Sequence, residues 1–202
     1  MTDEMFLDDR RQAIKEAIAF YSPSNKQKRE RWVASKFLTN LNIPLTSNEV
    51  RSNEEDPPDV FFRDARFEIK EILDPGRRRH DEYKRAYQKA LLATKPSELF
   101  ELRQPQDITP MQIGALVHKE LSKLSTTYDR ALVSTIDLLF YVNFQGLWIK
   151  PGEMPDVGQF ANFGWRSISA LEGNEALVFW TTADAPKYLK AQCSLIVNRE
   201  SR

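Results

Sequence analysis

Three ionic side chains, Asp59, Glu68 and Lys70, fall within one short stretch, DPPDVFFRDARFEIKEI, residues 56–72. Two carboxylates with an ammonium beside them can hold a hard divalent cation and steer a phosphate. That chemistry requires the three to meet. Side chains alternate between the faces of a strand, so Phe67 and Ile69 share one face while Glu68 and Lys70 share the other. A hairpin with its two-residue tip at Asp64-Ala65 pairs Phe62 with Phe67, Val60 with Ile69 and Asp59 with Lys70. Val60, Phe62, Phe67 and Ile69 then form an apolar face. Asp59, Glu68 and Lys70 gather opposite, with Asp59 diagonal to Glu68 at roughly 5–8 Å between β-carbons. Two carboxylates that close repel unless something positive lies between them. A divalent cation with oxygen ligands fits that place, and the lysine could hold a phosphate or help deprotonate a metal-bound water. The reading without chemistry is a solvated polar sheet face.

The elements that must position these residues are legible as periodic runs. Residues 3–21 read as a helix. The pattern Ser24-Asn25-Lys26-Gln27 reads as a capping box that opens a second helix to about Leu41. Residues 60–62 and 67–73 read as strands, after an acidic, proline-bearing loop. Pro75-Gly76 breaks the chain, and 77–94 reads as a long helix. Thr109-Pro110-Met111-Gln112 opens another helix, with proline at its first position, running to about Tyr128. Residues 136–144 and 176–182 read as strands, 156–171 as helical, and 191–197 as a last strand. The order predicts one α/β domain over 1–202 with a central mixed sheet flanked by helices.

A third acid joins the argument. At ~100° per residue, Glu30 lies in the middle of the stripe made by Val33, Ala34, Phe37 and Leu41. A carboxylate on a core face is costly unless it is paired or binds metal. It either completes the acid cluster or sits at the helix rim, reaching solvent or a neighbouring arginine.

Pro58-Asp59 followed by Glu68-Ile69-Lys70 resembles the PD-(D/E)XK nuclease superfamily. The acid-x-Lys pattern recurs as Glu82-Tyr83-Lys84, in a helix, and Pro-Asp recurs at Pro155-Asp156 with no acid-x-Lys after it. Only the first pair enters a strand with its ionic residues on one face. The resemblance implies a restriction-endonuclease-like αβββαβ core over about 24–145, with N-terminal helices and C-terminal strands over 146–202 completing or extending the sheet. It implies that Asp59, Glu68 and the Ile69 carbonyl hold Mg²⁺ or Mn²⁺, and that Lys70 orients or activates the attacking water. Glu30 would occupy the place of the superfamily's helix glutamate. The implied activity is hydrolysis of DNA phosphodiesters by an endonuclease. The alternative is a catalytically inactive member that binds nucleic acid or a protein partner.

Composition narrows the partners. The chain carries 29 basic and 29 acidic residues, so attraction to a phosphate backbone must come from local clusters rather than from net charge. Residues 77–95 carry a balance of +5, led by Arg77, Arg78, Arg79 and Lys84, and residues 26–36 carry +4. Both runs flank the acids in sequence and are candidates for phosphate contacts, with a solvated helix face as the plainer reading. Phe160, Phe163, Trp165 and Trp148 could stack bases or pack a core. Pairing of two copies in a homodimer would suit a nuclease that cuts both strands. One cysteine, Cys193, excludes an internal disulfide, and with His80 and His118 it makes a Cys/His zinc site a poor expectation. The charge-broken N-terminus is unlike a secretory leader, and no apolar run is long enough to span a membrane, so a cytoplasmic setting is expected.

Overall fold

The computed structural model describes residues 2–100 and 105–198, apart from the side chain of His80. The chain groups into two compact units, Met1–Arg29 with Asp74–Gln104, and Glu30–Leu73 with Pro105–Arg202.

The larger unit is a mixed α/β layer structure built on a seven-stranded sheet. Its strands are β1 (Arg51–Ser52), β2 (Val60–Phe62), β3 (Ala65–Leu73), β5 (Asp137–Asn143), β7 (Ser167–Glu172), β8 (Glu175–Thr181) and β9 (Leu195–Asn198), in the spatial order β1-β2-β3-β5-β7-β8-β9. Strands β3, β5 and β7 are parallel; the other neighbours are antiparallel. Strands β4 (Gln106–Ile108) and β6 (Leu147–Ile149) pair separately.

Alternation decides which helix covers which face. On β3, Phe67 and Ile69 face α2 (Lys26–Asn40), which contributes Val33, Ala34, Phe37 and Leu38 to one core. Ile72 of β3 with Leu138, Phe140 and Val142 of β5 faces α4 (Pro110–Leu124), which contributes Ile113, Val117 and Leu121 to the other. Each helix buries a stripe at i, i+3, i+4 and i+7 or i+8, as helical periodicity demands. Thr109 caps α4: its hydroxyl accepts from the Gln112 amide at 3.3 Å, and the Gln112 side chain accepts from the Thr109 amide at 2.8 Å. The expected box at Ser24 does not form, because Pro23–Asn25 is a 3₁₀ turn ahead of α2.

The smaller unit is helical, with α1 (Asp3–Phe20) and α3 (Arg79–Leu92). The Arg11 side chain of α1 donates to the Ala90 and Ala93 carbonyls at 3.0 and 3.2 Å. Tyr21 stacks on Tyr83 at 5.2 Å between ring centroids.

The helix expected over 156–171 is a correction. Only α6 (Gly158–Ala161) is helical there, and Ser167–Glu172 is β7. The run SISALE lies between β5 and β8 and is buried on both faces, so it lacks the alternation of a one-sided strand. Short helices α5 (Arg130–Val133) and α7 (Lys187–Lys190) complete the element order. Among the described residues no helix is long and apolar enough to cross a membrane.

Candidate active site

The hairpin is present, with its register two residues from the expected one. Val60 pairs with Phe67, Phe61 with Arg66 and Phe62 with Ala65, so the tip is Arg63-Asp64 and not Asp64-Ala65. Two side chains explain the shift. Ala65 points its methyl into the α2-side core and is fully buried. Arg63 takes the left-handed conformation at φ 52° and donates to the Pro44 carbonyl at 2.8 Å. A slip of two preserves the alternation, so every side chain keeps its face; a slip of one would have inverted them all. The ladder, continued one step beyond Val60 and Phe67, sets Asp59 against Glu68 rather than diagonal to it.

Asp59 is also held directly. β2 has three residues and β3 has nine, so β3 outlasts its neighbour. The chain before β2 is Pro57-Pro58, which has no backbone N–H to extend a ladder. The Ile69 amide is met instead by Asp59, whose Oδ2 accepts from it at 2.8 Å. The Ile69 side chain packs against the α2-side core.

Glu68 is fully buried. Its Oε1 accepts from Lys70 Nζ at 2.6 Å and from the Tyr128 hydroxyl at 2.6 Å. Its Oε2 is buried and has no hydrogen-bond partner. Burial, then the neighbouring Asp59 charge, pushes the Glu68 carboxyl above its ordinary range. Burial works against the Lys70 ammonium, but its bonds to Glu68 and Tyr128 outweigh that and hold its affinity for the proton above the usual one. Burial and the Glu68 carboxylate push the Tyr128 phenol up, so it keeps the proton it donates.

A third acid does join the pair. Asp56, Asp59 and Glu68 each place a carboxylate oxygen within 4.8 Å of the other two. Asp56 is exposed; the other two are buried. Glu30 is buried at 7% exposure on the core-facing side of α2, but it is not one of these three. Its helix covers the Phe67 and Ile69 face, whereas Glu68 and Lys70 project from the other. Three acids with converging oxygens, one of them a buried glutamate with an unpartnered Oε2, suit a divalent cation.

Sequence reasoning missed Asp56 and Tyr128. Asp56 was visible as the first residue of DPPD. Tyr128 lies 60 residues from Glu68 and leaves no local signal.

The predicted phosphate-contacting residues belong to the smaller unit, and there they divide. Arg77 is part-buried and bonded to Glu82 at 2.7 Å, and Arg79 is buried with its guanidinium 4.0 Å from the Tyr21 ring centroid. Arg78 and Lys84 are exposed. Of the aromatics, Phe160 and Trp165 are core residues and Phe163 packs against them, while Trp148 is exposed.

A helix, an antiparallel three-strand run, a further helix and a strand parallel to the third thus bring acids and a lysine together at a strand edge. Residues 2–200 match the family described as "Putative endonuclease, protein of unknown function (DUF1780)", and the chain belongs to that family. A solved structure from Pseudomonas aeruginosa strain PAO1 is similar over 98% of this chain and 96% of its own, at 26% identity and a TM-score of 0.66. That protein is described as of unknown function and of the monooxygenase superfamily. No curated protein matches the chain.

Proposed function

We propose that this protein is a Mg²⁺- or Mn²⁺-dependent endonuclease that hydrolyses phosphodiester bonds in DNA. The observation that carries the reading is Glu68, buried, with one oxygen unpartnered, a lysine on the other, and two more acids within 4.8 Å. An unpaired buried carboxylate oxygen is costly, and a cation removes that cost. The family description supports a nuclease, and the order α2, β1–β3, α4, β5, with α3 and β4 inserted before α4 and α5 after it, supports kinship with the PD-(D/E)XK enzymes. The ligand atoms offered by Asp56, Asp59 and Glu68 are carboxylate oxygens, which favours a hard divalent ion.

Asp56, Asp59 and Glu68 would hold the ion, with the Ile69 carbonyl as the remaining protein oxygen. A divalent ion there supplies charge stabilisation to the scissile phosphate and acidifies water. Lys70, fixed by Glu68, orients the attacking water or binds a phosphate oxygen as a point charge. Ile69 fixes Asp59 through its amide, so the site is preorganised by the backbone of β3. Arg78 and Lys84 are the exposed cations proposed to meet the phosphate backbone.

Plasmid nicking in Mg²⁺ or Mn²⁺ tests the reading. Wild type is expected to nick, and Asp59→Ala and Lys70→Ala to lose on the order of 100-fold or more in rate, as groups acting on the transition state do. Nicking that survives both substitutions overturns it. Metal binding and DNA binding without cleavage by the wild type would instead favour the inactive nucleic-acid-binding reading.

A further inference from the structure

We infer that Tyr128 is a positioning residue for this site, acting through Glu68 and Lys70 and not on substrate. The inference rests on the reading of Asp56, Asp59 and Glu68 as a cation site.

The phenol touches both members of the ion pair. Its hydroxyl donates to Glu68 Oε1 at 2.6 Å, and Lys70 Nζ stands 5.4 Å from its ring centroid. Lys70 donates to that same Oε1 at 2.6 Å. Two donors on one oxygen fix the rotation of the carboxylate and direct the other oxygen away from both of them. That other oxygen, Oε2, is the buried one without a partner. Tyr128 therefore decides which glutamate oxygen remains for an ion.

Tyr128 is itself held from behind. Its ring meets Trp165 edge-on at 5.4 Å, and Trp165 is 2% exposed in the core beneath α4. It follows α4 and precedes Asp129, whose side chain caps α5 by accepting from the Ala131 amide at 2.6 Å. The phenol thus lies in the short connection between the end of α4 and the start of α5. A tyrosine that served packing alone would need no hydroxyl aimed at a fully buried acid of the sheet. Hydrogen bonds that orient a ligating carboxylate from outside typically contribute 10–100-fold to metal affinity.

The test is titration of the protein with Mn²⁺ alone, followed by electron paramagnetic resonance of the free ion, for wild type, Tyr128→Phe, Tyr128→Trp and Asp59→Asn. Expected are a roughly 10-fold or greater loss of Mn²⁺ affinity in Tyr128→Phe, an unchanged fold by circular dichroism, and near-complete loss in Asp59→Asn. In the nicking assay the Mn²⁺ concentration for half-maximal rate should rise in parallel, with a smaller fall in rate at saturating Mn²⁺. A purely structural tyrosine would lower the melting temperature and leave that split unchanged. Tyr128→Trp keeps an aromatic ring without the phenol and carries the test if Tyr128→Phe does not fold. Wild-type affinity in the phenol-less variant, with binding lost in Asp59→Asn, overturns the role of Tyr128 and leaves the cation site standing. Wild-type affinity in Asp59→Asn, or no Mn²⁺ binding by wild type, overturns the cation site and the inference with it.

Discussion

Two fully buried carboxylates stand on neighbouring strands, Glu68 on β3 and Asp137 on β5, and they are finished differently. Asp137 Oδ1 accepts from the Ser167 hydroxyl at 2.7 Å and from Arg166 Nε at 3.1 Å. Its Oδ2 accepts from the Arg66 amide at 2.9 Å and from Arg166 Nη2. Four donors close that acid from within the protein. Glu68 has two donors on one oxygen and none on the other. Burial costs both acids alike. Asp137 is compensated by the fold, and it ties β3, β5 and β7 together where they start. Glu68 is compensated on one side only, which is what the proposed cation site requires.

The largest effect should come from breaking the closed acid. Asp137→Ala strands a mostly buried Arg166, and removing one partner of a buried pair costs about 3–5 kcal/mol. Urea unfolding should show that loss as a fall in midpoint. Glu68→Gln should move the same midpoint by about 1 kcal/mol or less, since it removes a buried charge that also repels Asp59. Nicking should follow the opposite order, lost in Glu68→Gln and retained in whatever Asp137→Ala protein stays folded. If Glu68→Gln unfolds the protein as Asp137→Ala does, both acids are structural.

Added Mn²⁺ gives the next effect. At a concentration 100 times its dissociation constant, an ion that binds only the native state adds about 2.7 kcal/mol. Thermal unfolding should show that shift in wild type and in Arg166→Lys, which keeps the positive charge beside Asp137. It should be absent from Glu68→Gln. A shift that persists there would place the ion elsewhere.

The contrast between the two acids also marks what the sequence could reveal. The α/β class, the sheet with helices on both faces, and most strand and helix positions followed from periodicity and caps such as Thr109-Pro110. The shared face of Asp59, Glu68 and Lys70 was legible although the tip was misplaced by one residue, because the alternation survives a two-residue slip. Glu30 had two readings, in the acid cluster or at the helix rim, and the structure buries it; that Asp56 also converges on Asp59 and Glu68 was not legible, since local periodicity says nothing about which distant acid a loop delivers. Asp137 opens a hydrophobic strand and gave no sign of its partners Arg166 and Ser167, about 30 residues on. Tyr128 was hidden for the same reason: donors that close or open a buried acid come from tertiary contacts. β7 was misread because a strand buried on both faces shows no period of two.

A pair of facing acids extends the comparison to the case with no cation partner on either side. Glu172 and Glu175 face each other across the β7–β8 hairpin as direct strand partners. Asn198 donates to Glu175 Oε1 at 3.3 Å, and Glu175 Oε2 is buried without a partner. Burial, then the Glu175 charge, raises Glu172 to about 7. A carboxyl whose folded pKa lies above its unfolded one binds more protons folded than unfolded between those values. The Glu172 contribution to stability should therefore be highest below the ordinary carboxylate range, fall as pH rises from about 4.5 to about 7, and level off above. With Glu172 half-buried, the fall should be on the order of 1–2 kcal/mol. Glu172→Gln should flatten the urea midpoint across that window. If Glu172→Gln changes nothing, the hairpin acids are hydrated, and burial alone does not distinguish Glu68 from Asp137. The difference then rests wholly on the four donors around one acid and the two around the other.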